Sequence, residues 1–189
     1  MNPVAPAGSV GLLERAVGYT LGSLHLVTDA AMTRPTPCAR WDLRGLLTHM
    51  NDGLAALQEA AEFGHVQLDV RLDPVADPVA ALRDRACRLL GAWLGSPRPE
   101  VVVGCCPLAT VMVASAGALE VAVHGWDIAA ALGRTRPLPD ALGRALLDVA
   151  PLLVSAQDRP ARFAAPIPLP SGSPGEHLLA FLGREPLRS

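Results

Sequence analysis

Between Val10 and Ala31 the apolar residues Leu12, Leu13, Val17, Leu21, Leu24 and Val27 recur at helical spacing, which predicts a first helix over 10–31 with Ser9 as its N-cap. Pro35 and Pro37 in TRPTPCARWD forbid its continuation, and the loop they make delivers Trp41 to the next helix. That second helix runs from an Asp42 cap through Leu43, Leu46, Leu47, Met50, Leu54 and Leu57 to about Glu62. Residues 63–77, with Gly64, Pro74 and several aspartates, read as a connection. Pro78 suits the first turn of a third helix ending near Leu94, with Leu82, Ala86, Leu89 and Trp93 inward and Arg83, Arg85 and Arg88 in water. Residues 96–107 form another connection, whose VVV run allows a short strand that adds little on its own. A fourth helix spans Leu108 or Thr110 to Leu132 and stops at Gly133, and a fifth spans about Pro139 to Val154. The tail is extended and proline-rich up to Pro174, then forms a short helix that buries Leu178, Leu179, Phe181 and Leu182.

Four long helices joined by connections of about ten residues predict an all-α fold, an up-and-down four-helix bundle with short additional helices. The expected organisation is a single domain over 1–189, with the bundle over about 10–155 and the tail and short helix over 156–189. A formal net charge of −2 and the absence of any basic run argue against nucleic acid as a partner. No basic n-region precedes an apolar block, so a cytoplasmic protein is expected. The apolar region from Ala109 to Leu132 is long enough to cross a bilayer, but Glu120, His124 and Asp127 within it favour a buried helix over a membrane span. Cys38, Cys87, Cys105 and Cys106 show no CxxC spacing and read as reduced thiols, with Cys38 and Cys106 better read as small buried hydrophobes than as nucleophiles. The high apolar content leaves room for a homodimer.

The fourth helix carries the candidate chemistry. In GALEVAVHGWDIAAALG, Glu120, His124 and Asp127 stand at i, i+4 and i+7 and share one face of an otherwise apolar rod. A buried Glu without a partner costs several kcal/mol, so that face must meet water, a partner or a cation. His49 is the best-placed further donor, on the first half of the second helix, and would complete a two-histidine, one-carboxylate site with open positions. Taken alone, His49 and Asp52, at i and i+3, also fit a hydrogen-bonded pair at the core margin. His25, His65 and His177 read as surface or core-edge groups, and Trp126 points off the polar face into the core.

PTPCARWDLRGLLTH, EVAVHGWDIAAALG and the terminal FLGREP together resemble the bacterial DinB-like superfamily, in its branch around mycothiol-dependent maleylpyruvate isomerase, from about Leu12 to Pro186. The tail motif is similar to that of the short, single-domain members of the branch. The resemblance implies a DinB-like bundle with a divalent metal, usually zinc, on His49, Glu120 and His124, the trio already reached from spacing. Maleylpyruvate isomerase carries a further C-terminal domain that helps form its substrate site and has no counterpart here, so the resemblance does not extend to its substrate.

The expected function is a metal-dependent enzyme on a small molecule, with a low-molecular-weight thiol, mycothiol by resemblance, as nucleophile for S-transfer or isomerisation. Asp127 or Asp52 would orient a ligand imidazole or face the substrate. The alternatives are a thiol-independent hydrolase, lyase or cyclase, and a bundle that sequesters a small molecule without turning it over.

Overall fold

A computed structural model describes residues 6–67, 75–95 and 98–185. The expected connection around Pro74, the start of the 96–107 connection, the last residue of FLGREP and the residues nearest the N-terminus lie outside it. Six helices dominate: α1 (Pro6–Leu24), α2 (Leu43–Phe63), α3 (Pro78–Leu94), α4 (Thr110–Ala131), α5 (Asp140–Leu153) and α6 (Pro174–Phe181). The class is all-α, as expected. Local chemistry explains the starts of α2 and α3. Asp42 accepts the Gly45 amide at 2.8 Å, and Asp77 accepts those of Val79 and Ala80, both at 3.0 Å, with Pro78 in the first turn.

The first helix differs from expectation at both ends. Ser9 lies inside α1 and is buried, not a cap, and the helix stops at Leu24. Beyond it the amides of Leu26 and Val27 bond three residues back, to Ser23 and Leu24, so the chain tightens and leaves the helix before the short 3-10 turn at Asp29–Ala31. Val27 keeps the apolar rhythm only because it packs against the core from that turn.

The broadest packing is of α1 on α4 and of α2 on α3. Along the α1–α4 seam the backbones nearly touch. A Cβ on Gly125 would sit 3.1 Å from Thr20 Cα, and Thr20 Oγ1 donates to the Val121 carbonyl at 2.7 Å. Almost all of α4 from Gly117 to Ala129 is buried as a result, with Trp126 in the core as its position predicts. The polar core residue Asn51 donates to the carbonyls of Leu47 and Pro78 and so ties α2 to the start of α3.

Two connections form a small sheet. β1 (His65–Val66) runs parallel to β2 (Glu100–Val103), which pairs antiparallel with β3 (Cys106–Ala109) in the order β1-β2-β3. The VVV strand is therefore not isolated: Val101 faces Leu108 and Val102 faces His65 across the ladders. The sheet also corrects the reading of the cysteines. Cys105 and Cys106 are exposed where the β2–β3 hairpin turns, Cys87 is exposed on α3, and Cys38 is half-buried, all four as free thiols. Among the described residues no helix is long and apolar enough to cross a membrane.

Candidate metal centre

Glu120 and His124 stand one turn apart on α4, so their side chains share a face, and Glu120 Oε2 lies 3.1 Å from His124 Nε2. From α2, His49 brings its Nε2 to 3.6 Å from the same oxygen. The His49 ring is set from outside by Trp41, which stacks on it with centroids 4.3 Å apart and planes 19° apart. Trp41 is fixed in turn, because Thr36 Oγ1 donates to its carbonyl at 2.8 Å and Pro35 bridges to Asp42. The proline-rich loop thus works as a bracket for the helix that carries His49.

Behind His124 lies a buried clasp. Its Nδ1 donates to Asp127 Oδ2 at 2.9 Å, since an ionised carboxylate can only accept. Arg184 then grips Asp127 with two bonds, Nε to Oδ1 at 2.9 Å and Nη2 to Oδ2 at 2.8 Å. Asp127 is fully buried and Arg184 nearly so. The arginine arrives from the tail because α6 ends in a Schellman turn: the Gly183 amide bonds Ala180 and the Arg184 amide bonds Leu179. Gly183 has φ 74°, and a Cβ there would lie 2.6 Å from Ala164 Cβ, so both backbone sign and space demand glycine.

The electrostatics follow from this contact chain. Burial alone would drive His124 neutral, but the Asp127 and Glu120 carboxylates on either side outweigh it and push its pKa up to about 9. Burial would raise Glu120, yet hydrogen bonds from His124 and His49 hold its carboxyl well below the usual carboxylate range. Asp127 is likewise held down by His124 and Arg184 against the pull of burial. Without a cation, His124 is therefore an imidazolium at neutral pH, with its Nε2 proton directed at Glu120.

One donor atom each from His49, Glu120 and His124 lies within 4.8 Å of the others. Ligand atoms about 2.0–2.1 Å from a tetrahedral zinc lie roughly 3.3 Å apart, so the 3.1 and 3.6 Å separations suit a shared cation. The donor set has the composition of a three-ligand site, and Asp127 on the far nitrogen of His124 fixes which nitrogen faces the cation position.

Sequence reasoning brought this trio and Asp127 together, and it overlooked Arg184. A fully buried Asp127 needs a cation besides a shared imidazole, and FLGREP holds an arginine directly after a glycine helix stop; that was the available signal. Asp52 is exposed and lines a shallow groove with Trp41, Arg44 and Thr48 on the outer side of His49, where it makes no hydrogen bond or ion pair among the described residues.

Two cavities meet at the trio. The larger, about 480 Å³, lies between α2, α4, the end of α5 and the sheet, and is lined by Leu54, Leu57, Met112, Val113 and Leu152. The other, about 410 Å³, is mixed, with Arg40, Asp158 and Arg162 beside Trp41, Leu119 and Phe163. His49, Glu120 and His124 belong to both walls. The Cys38 thiol is pushed up by its burial, partly offset by Arg184, which makes it a poor nucleophile.

No curated protein and no solved structure matches the chain at a significant level. A family described as the mycothiol maleylpyruvate isomerase N-terminal domain does match, over residues 13–129, a span that holds the whole trio and Asp127 but not Arg184. With more than half of its 189 residues matched, the chain belongs to the mycothiol maleylpyruvate isomerase N-terminal domain family.

Proposed function

We propose that the protein is a cytoplasmic metal-dependent enzyme that adds a low-molecular-weight thiol to a small electrophile, as a transferase or, when the thiol leaves again, as an isomerase. The observation that carries this reading is the position of His49, Glu120 and His124 in the wall shared by two cavities, one lined otherwise by apolar side chains among the described residues and the other by charged and apolar ones together. Those three residues would hold the cation, with zinc the best match to the donor set. Bound there, a divalent cation supplies positive charge that favours thiolate over thiol at neutral pH.

The chain's own residues do the rest. Arg184 fixes Asp127, Asp127 fixes the His124 ring, and Trp41 fixes His49, so the donors are preorganised on two helices. The second lobe, through Arg40, Asp158 and Arg162, offers charged partners suited to a hydroxyl-rich thiol such as the mycothiol of the family's name. An electrophile in the apolar lobe would lie next to it, so two reactants meet in fixed orientation. In such an addition the sulfur forms a C–S bond to an alkene carbon, and the displaced π pair moves to the neighbouring carbon beside the activating carbonyl. Reversal after rotation gives the isomer. Maleylpyruvate itself is a small dianion, and among the described residues no arginine lines the apolar lobe to receive it.

The test is turnover of an activated alkene by zinc-loaded protein with and without added mycothiol. Rate that requires the thiol and disappears in Glu120→Ala supports the proposal. Equal rate without any thiol would move the assignment to a hydrolase, lyase or cyclase with water as the activated group.

A further inference from the structure

We infer that the apolar lobe takes an uncharged molecule with an apolar body, whose polar or reactive end faces His49, Glu120 and His124; this substrate class rests on the reading of the trio as the reacting end. Among the described residues that line the lobe, those three are the side chains that ionise or form hydrogen bonds; the others are Leu, Val, Met, Ala or glycine. A carboxylate, phosphate or hydroxyl seated away from the trio would lose its water and find no side-chain partner among the described residues, which is strongly unfavourable. The volume of about 480 Å³ is within the range of sites that enclose a drug-sized molecule. Met50 and Met112 give the wall unbranched, adaptable side chains. The rim has the same character, since Leu108, Met112 and Leu152 are exposed there, Leu152 by 57%. Such a rim favours entry of an apolar body over a charged one. The neighbouring lobe sets Arg40, Asp158 and Arg162 beside apolar residues such as Leu119 and Phe163, so a molecule with charged or hydroxyl groups finds partners there rather than in the apolar lobe.

Gly53 provides the test. It lines the lobe one turn after His49 on α2, and a Cβ there would meet nothing within 4 Å. Gly53→Leu therefore projects a side chain into empty space and improves helix propensity, so the fold is retained. The experiment titrates two dyes of one ring system, neutral N-phenyl-1-naphthylamine and anionic 1-anilinonaphthalene-8-sulfonate, into wild type and Gly53→Leu by fluorescence, with circular dichroism as the fold check and zinc content measured in parallel. Expected are one neutral dye bound per chain, binding at least tenfold weaker in Gly53→Leu, and at least tenfold weaker binding of the anion at the site that Gly53→Leu affects. Equal affinity of both dyes at that site, neutral-dye binding unchanged in folded Gly53→Leu, or no neutral-dye binding would each overturn the inference. Failure of the metal reading would appear separately, as wild type that binds no zinc while the dye results stand.

Discussion

Asp127 has no solvent to turn to: it is fully buried, and its oxygens are shared between Arg184 and His124. Removing the arginine leaves that carboxylate without its main countercharge, so Arg184→Met should lower stability by about 3–5 kcal/mol in urea unfolding. A loss below about 1 kcal/mol would mean that water replaces the guanidinium. His124 gives a pH signature. Its pKa in the folded metal-free protein, about 9, is above the ordinary imidazole value of 6.5, so its proton favours the folded state. That contribution is complete below about pH 6.5 and is lost as pH rises through about 9. Chelator-treated protein should therefore show a falling urea midpoint over that window. Zinc-loaded protein should not, because a ligating Nε2 carries no proton to lose. A flat profile in both would remove the carboxylate–imidazolium–carboxylate chain from the account.

At the scale of elements, what the sequence revealed depended on how local each determinant is. The starts of α2 and α3 were readable because their determinants are local: Asp42 takes an amide three residues on, and Pro78 presets the first turn that Asp77 then caps. The polar face of α4 was readable for the same reason, since Glu120, His124 and Asp127 are one turn apart. The end of α1 was not, because the apolar rhythm continues to Val27 through a turn whose bonds reach back only three residues. Of the short strands only β2 showed, through its VVV run; β1 and β3 carry no periodicity to detect, and the β1–β2 pairing spans the whole of α3. Arg184 meets Asp127 across 57 positions, and only the unmatched charge of a buried aspartate could have suggested it. The α1–α4 seam yields its own prediction: Gly125→Ala forces a methyl against Thr20 and should cost about 1–3 kcal/mol, read as a lowered urea midpoint. An unchanged midpoint would show that α1 can withdraw without loss.

At the scale of the molecule, a helical bundle holds three donors on two helices, a loop and a tail lock the donors from behind, and a small sheet closes the apolar cavity in front of them. The central claim is that His49, Glu120 and His124 bind one cation together. Elemental analysis of purified wild type beside His49→Ala, Glu120→Ala and His124→Ala, each checked by circular dichroism, tests it most directly. The account predicts near-stoichiometric zinc in wild type and its loss in all three folded variants. A well-folded wild type that holds no metal after reconstitution, or variants that retain it, would contradict the claim.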